Sequence, residues 1–250
     1  RAYHGLGISL FSMSTALALA AGPFLGIALV HGSGYETVVW TACTFGLICL
    51  LVFLALGPLP PMLKKHRPMT ELYSYVDPRV IRFSLVALVT CLGYGCVQAF
   101  LTSFAEERGL SDIASIFFLV YAAAALGTRP FSGHILDHYG ENIVFYPALV
   151  IMAISMVLLA MAENGMMFLL AGVLLGVGFG NFQSAGQAVS LTLVTRSRFA
   201  QATTTFFLFF DFGIGLGPYL FGFLVPVVGY DGMFFTLAFV ALLAAVLYWF

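Results

Sequence analysis

Eight runs of about twenty mainly apolar residues follow one another along this 250-residue chain: 7–30, 37–57, 80–104, 112–134, 143–162, 166–192, 200–226 and 232–250. A helix needs about 20 such residues to cross a bilayer's hydrocarbon core, and it satisfies every backbone N–H and C=O internally where no water is available. Charged residues make up only 8% of the chain, against roughly 25% in a soluble domain. So few cannot cover a water-exposed surface, and lipid must be the solvent around most of the chain. The expected fold class is all-α: a polytopic membrane protein with eight transmembrane helices present. Ten basic and eleven acidic residues nearly cancel, leaving no net charge to attract nucleic acid. Cys43, Cys49, Cys91 and Cys96 lie inside apolar runs without metal-ligand spacing and read as packing residues.

Turn chemistry marks most of the breaks, as at His31-Gly32-Ser33-Gly34, Glu163-Asn164-Gly165 and 226–232. The longest gap, 58–79, holds Pro58, Pro60, Pro61 and the cluster Lys64-Lys65-His66-Arg67, and reads as a polar linker between two bundles. Threading eight crossings places Arg1, Lys64, Lys65, Arg67, Arg79, Arg82, Arg129, Arg196 and Arg198 on one side and Arg108 alone on the other. The bias of basic residues makes the first side cytoplasmic. The opposite side collects Glu36, Glu106, Glu107, Asp112, Glu163 and Asp231.

Residues 1–55 also slide onto 196–250 without a gap. Gly22-Pro23 meets Gly217-Pro218, Gly34-Tyr35 meets Gly229-Tyr230, Glu36 meets Asp231 and Thr41 meets Thr236. The offset spans six crossings, so the repeating unit is a six-helix bundle plus linker. On this reading 1–57 are the last two helices of an N-terminal bundle, 58–79 a cytoplasmic linker and 80–250 a C-terminal six-helix bundle. Four further helices, roughly 110–130 residues, are expected to precede Arg1 in an intact twelve-helix protein.

Two six-helix halves joined by a basic linker resemble the major facilitator superfamily of transporters. The segment from Gly133 through Asp137 and Gly140 to Asn142 is similar to that superfamily's G-x-x-x-D-[RK]-x-G-[RK]-[RK] loop signature, with His138, Glu141 and Asn142 where cations are usual. Ala18-x3-Gly22-Pro23-x2-Gly26 resembles the G-x3-G-P-x2-G-G signature on the fifth helix of proton-driven exporters, with Ala18 and Ile27 replacing two glycines. The resemblance implies that the spans here are the fifth to twelfth helices. It implies that Arg129, Gly133, Asp137 and Gly140 belong to a gating loop, with Asp137 approaching the helix that begins near His4 to Gly7. Gly22, Pro23 and Gly26, and their repeat copies Gly217 and Pro218, read as a helix-packing device: small residues let helices approach, and proline bends the helix.

Polar side chains in lipid-embedded helices are costly and should face a cavity or a partner. Thr90, Tyr94, Gln98 and Thr102 recur every four residues on the third span. Gln183, Gln187 and Ser190 share a face of the sixth, with Asn181 nearby. The resemblance places these two spans along a central pathway, so Tyr94, Gln98, Asn181, Gln183 and Gln187 are candidates for lining a substrate cavity; hydrogen bonding between helices is the alternative. Asp211 is the deepest acid, about eleven residues into its span. It can take a proton on one side of the membrane and release it on the other, or simply be a buried, partnered acid. Its repeat equivalent is Ala16, so the shared fold does not demand a carboxylate there.

The function expected is secondary active transport by alternating access in the cell membrane: proton-coupled efflux of a small, amphipathic or drug-like compound. A symporter importing a sugar or other metabolite is the alternative. The expected partners are a small-molecule substrate and the lipid bilayer, with no nucleic acid and with a monomer once the missing helices are included. No nucleophile motif, paired intramembrane acids or metal cluster favours an enzyme, and no phosphate-cradling loop favours a nucleotide-driven pump. No cofactor is expected; the proton gradient is the driving force.

Overall fold

The computed structural model describes residues 14, 18, 21–30, 32–57 and 76–249. Arg1, His4 to Gly7, half of the first apolar run and the linker residues 58–75, with Lys64, Lys65 and Arg67, lie outside the described residues. The chain is all-α. Its helices are α1 (Ala21–Val30), α2 (Tyr35–Ala55), α3 (Pro78–Glu107), α4 (Ser111–Tyr139), α5 (Asn142–Ala160), α6 (Gly165–Gly178), α7 (Phe182–Thr192), α8 (Phe199–Gly222) and α9 (Val225–Trp249). Among the described residues seven helical stretches are long and apolar enough to cross a membrane, α6 and α7 counting as one; α1 is the described end of the first run.

Local chemistry sets the helix ends. Asp77 caps α3, its Oδ1 accepting from the Arg79 N–H at 3.1 Å, with Pro78 in the first turn where a missing N–H costs nothing. At the other end Gly109 takes φ +67°, and the Leu110 and Gly109 N–H groups bond back to the Ala105 and Glu106 carbonyls, closing the helix in a Schellman turn. Asn164 caps α6 through the Met167 N–H at 2.9 Å. The repeat has a backbone signature too. Gly34 (φ 86°, ψ 170°) and its equivalent Gly229 (φ 70°, ψ 177°) share a conformation essentially reserved for glycine. Each stands immediately before Tyr and an acid.

Helix α3 is the centre of the bundle, flanked by α8 and α9, while α6 packs on both α4 and α5 and α5 packs on α9. Small residues carry the closest approaches. A Cβ on Gly213 would lie 2.5 Å from the Leu88 carbonyl oxygen, and one on Gly217 would overlap the Leu92 carbonyl. Pro218 has no N–H to offer the Ile214 carbonyl, and that oxygen faces Gly95 of α3 so closely that no Cβ fits between them. Gly172 and Gly176 bring α6, and Gly180 the break that follows it, against Phe117, Tyr121 and Ala125 of α4 in the same way. For Gly22 and Gly26 in α1, an added Cβ meets nothing within 4 Å among the described residues.

Two ion pairs tie opposite ends of the bundle. Arg108, the lone basic residue expected on the acidic side, pairs with Asp231 of that side. At the other end Asp77, buried, accepts from Arg198 at 2.9 Å and its N–H donates to Thr205 Oγ1 at 2.9 Å.

Three expectations change. The sixth run, expected as one continuous span over 166–192, breaks after Gly178 and resumes at Phe182, because glycines at 176, 178 and 180 lower helix propensity and pull its two faces toward different neighbours. The loop expected after residue 134 shrinks to Gly140 and Glu141. Helix α4 runs on to Tyr139, so Gly133 and Asp137 sit on its exposed last turns, and only Gly140, at φ +87°, is a turn glycine. The eighth run is bent at Gly229 rather than starting cleanly at 232.

Candidate functional site

Helices α3, α4 and α8 and the α6–α7 break enclose a cavity of about 310 Å3. Sequence periodicity dictates which residues reach it. On α4, Tyr121, Ala125 and Arg129 recur every four residues and therefore share one face. On α8, Phe207, Phe210, Asp211 and Ile214 do the same at three- and four-residue spacing. Tyr94 enters from α3, Phe179 and Gly180 from the break, and Gln183 from the first turn of α7.

Aromatic rings form one wall. Phe179 stacks on Tyr94 with centroids 4.1 Å apart and planes within 18°; Tyr121 lies 5.7 Å beyond Tyr94, and Phe210 lies 5.9 Å from Phe179. Offset-stacked rings are favourable beyond the area they bury, and here they present a flat apolar face. Tyr94 is held in place by Gln98 one turn later, whose Nε2 donates to the Tyr94 hydroxyl at 3.3 Å. Opposite charges complete the lining. Asp211 stands twelve residues into α8, about 18 Å from its start, and its exposed side chain has no hydrogen bond or ion pair among the described residues. Arg129 is half-buried on α4. An aromatic face, a carboxylate, a guanidinium and an amide around one small space can hold an amphipathic molecule by stacking and charge at once.

The structure thus brings together Tyr94, Gln183 and Asp211 from the sequence-derived candidates, and adds Arg129, expected at a gating loop. It sets the others apart. Gln98 and Thr102 face a second space of about 390 Å3, across which lie Pro23 and Gly26 of α1. Thr90 bonds its own helix at the Val86 carbonyl, 2.8 Å away, and Ser190 does likewise at Gly186. Gln187, part-buried, lies one turn beyond Gln183 on α7. Asn181, expected on the central path, points instead toward α4, its Nδ2 donating to Thr128 Oγ1 at 2.7 Å. Among the gating candidates, Asp137 and Gly133 are exposed, well along α4 from the cavity, and the partner expected for Asp137 near His4 to Gly7 is outside the described residues. Tyr121 and Phe179 join the cavity in addition to the sequence-derived candidates. The four-residue spacing of Tyr121 with Arg129 was a usable signal; Phe179 had none, since nothing local distinguishes it from the other phenylalanines.

Outside the spans, the most perturbed acid is Asp77. Burial works to raise its pKa, but the Arg198 hydrogen bond, the Arg79 N–H and the two positive charges outweigh it and hold the carboxyl below the usual carboxylate range.

Comparison with known proteins places the chain among relatives. A family model described as Major Facilitator Superfamily matches residues 1–180 and, overlapping, 83–250. Multidrug resistance protein MdtG of Yersinia enterocolitica is 30% identical over 190 residues, covering 69% of this chain and 45% of that protein. The uncharacterized MFS-type transporter YhhS of Escherichia coli strain K12 is 23% identical over 233 residues, covering 93% of this chain and 56% of the relative. The MdtG of Proteus mirabilis is 29% identical over 157 residues, or 60% and 39% of the two chains. The chain therefore spans about half the length of the curated relatives it matches.

Proposed function

The chain belongs to the Major Facilitator Superfamily, and from that premise we propose that it is part of a secondary active transporter of the cell membrane that expels a small amphipathic compound in exchange for protons. The observation that carries the reading is Asp211, a carboxylate without a partner among the described residues, on the wall of a cavity midway along a membrane-crossing helix. A charge there is costly in lipid and is tolerated where water or a ligand can reach it. Proton and substrate compete for this one group. A protonated Asp211 releases a substrate held by its charge and by the Tyr94–Phe179 stack; a deprotonated one admits the next. Arg129 lines the same cavity as the second charged group a substrate would meet. The name of MdtG as a multidrug resistance protein supports a drug-like substrate class. The repeat supports two half-bundles, 1–57 and 80–250 belonging to different halves and joined by a cytoplasmic linker, with Asp137 and Gly140 at a gate between them, and a monomeric intact transporter.

The test is Asp211→Asn in the intact protein reconstituted into vesicles, with an imposed proton gradient and a fluorescent amphipathic cation as substrate. Gradient-driven movement should fall at least about tenfold, the loss of about 1.4 kcal/mol of coupling, and gradient-independent exchange of the cation should weaken with it because Asn mimics the protonated group, while membrane insertion persists. Undiminished uphill transport by the variant would sink the assignment. Accumulation in the direction opposite to efflux would favour the importer.

A further inference from the structure

The central cavity carries two charges of opposite sign, and they stand at different depths. Phe210, the residue before Asp211, joins the ring wall 5.9 Å from Phe179, and Tyr121 joins it 5.7 Å from Tyr94. Asp211 and Tyr121 therefore lie near one level. Arg129 is eight residues beyond Tyr121 on α4, about 12 Å closer to the end of the bundle where α8 begins. Helical side chains lean back toward the N-terminus of their own helix. Arg129 thus leans toward Tyr121 from that end, and borders the same space that Asp211 borders at the level of the rings. The ion pairs found among the described residues, Arg108–Asp231 and Arg198–Asp77, do not include Asp211.

Between the two charges the lining is mostly apolar. The Tyr94–Phe179 stack offers a broad face, while Ala122, Ala125 and Gly180 add little bulk, which leaves room for flat rings. At about 310 Å3 the space sits at the lower end of the roughly 300–1,000 Å3 of a drug-sized site. A molecule that fills so small a space displaces water from both charges at once. A cation alone would satisfy Asp211 and dehydrate the cavity face of Arg129; an anion alone would do the reverse. Dehydrating a charge without supplying a partner is costly, so the occupant with most to gain carries both signs. The chemistry at each end is suited to this. A guanidinium presents its N–H donors in a fixed fork that a carboxylate meets in pairs, whereas an ionised carboxylate only accepts and takes an ammonium.

We propose that the substrate is a flat aromatic zwitterion, with its ammonium on Asp211, its carboxylate on Arg129 and its rings against the Tyr94–Phe179 stack. This rests on the reading of the cavity as the substrate site and names the class of molecule it takes. The depth difference excludes a compact zwitterion such as an α-amino acid, whose two charges share one carbon and cannot reach both groups. Arg129 becomes a specificity-determining residue, separating zwitterions from the simple cations that Asp211 alone would accept.

The experiment uses the intact protein in lipid nanodiscs and a tritiated biphenyl bearing an aminomethyl group at one end and a carboxylate at the other. Two unlabelled relatives compete with it: the methyl ester, which keeps only the cation, and the acid with methyl in place of aminomethyl, which keeps only the anion. The unlabelled zwitterion should displace the label at least about tenfold better than either. Arg129→Gln should erase its advantage over the ester, Arg129→Lys should retain part of it, and Asp211→Asn should erase its advantage over the acid. The three-compound comparison on the unaltered protein decides the matter even if an Arg129 variant fails to fold. An ester that competes as well as the zwitterion, an acid that does so, or no saturable binding of the zwitterion would each overturn the proposal. The transport reading fails separately: a zwitterion preference together with undiminished uphill transport by Asp211→Asn would uphold the substrate class and remove only the proton coupling.

Discussion

The α3–α8 contact allows a sharp test of what the glycines of α8 contribute, because two of them lie two residues apart in contrasting surroundings. A Cβ at Gly215 meets nothing within 4 Å. One at Gly217 would sit 3.0 Å from the Leu92 Cα and carbonyl carbon, and closer still to the carbonyl oxygen. Alanine is favoured over glycine in a helix by roughly 0.5–1 kcal/mol. Both Gly215→Ala and Gly217→Ala gain that term, so it cancels between them. What remains is the packing penalty. To restore ordinary contact near 3.6 Å, α8 must move away from Leu92 by roughly 0.5–1 Å, and a gap of that size forfeits a quarter to a half of each dispersion contact along the interface. Overpacking of this kind costs about 1–3 kcal/mol. The same displacement pulls Gly213 off Leu88 and Gly95 off Ile214, so the cost is not confined to one site. The assay is thermal denaturation of the intact protein in detergent, read as the fraction that stays monodisperse after heating at one fixed rate, since unfolding is irreversible. Gly215→Ala should match or slightly exceed the parent, and Gly217→Ala should fall below Gly215→Ala by roughly 3–10 °C, from about 2–4 °C per kcal/mol in a chain of this size. Equal midpoints for the two variants would refute the idea that Gly217 is required by backbone approach.

Other outcomes follow from the polar contacts. Asp77→Ala removes the α3 cap and the partner of Arg198 and should cost about 2–3 kcal/mol, whereas Asp77→Asn keeps the cap and should cost about 1 kcal/mol. Because the Asp77 carboxyl titrates below its ordinary value in the folded chain, its contribution is complete above the unfolded value near pH 4 and fades as pH falls through that value and the lower folded one. Melting midpoints of parent and Asp77→Asn, measured between pH 7 and 3, should therefore converge only at the acid end. Ser155→Ala breaks a buried bond from α5 to the Ala171 carbonyl of α6, 2.8 Å long, and should lower stability in the same assay by about 1 kcal/mol. The Arg108–Asp231 pair is partly exposed, so a double-mutant cycle should return only about 0.5 kcal/mol, shrinking as salt rises.

Much of this architecture is legible in residue order, because lipid imposes a one-dimensional rule. A run such as 80–104 has to be helical and has to cross, whatever it packs against. The Gly34-Tyr35-Glu36 and Gly229-Tyr230-Asp231 match carried the repeat for a similarly local reason: a positive φ followed by a helix start needs glycine at that one position. Asp211 stood out because no other acid lay so far from a helix end. Three features depended on neighbours instead. Asn181 and Gln183 are two residues apart and so cannot share a helix face, but which of them meets α4 and which the central space was settled only by packing. Arg129 reads as a loop-side charge until α4 is seen to continue past it to Tyr139 and its Tyr121 face is seen to meet α8. The stripe of Thr90, Tyr94, Gln98 and Thr102 is real as a spacing, yet α3 is surrounded, so successive members meet different partners: Val86, the Phe179 ring, the Tyr94 hydroxyl and the space beside α1.

Sequence alone therefore determined that the chain is a helical membrane protein, since burial in lipid acts residue by residue. Which polar groups share a cavity was decided by tertiary structure, since that depends on where helices break and how closely glycines let their backbones meet, and both are properties of pairs of helices rather than of either one.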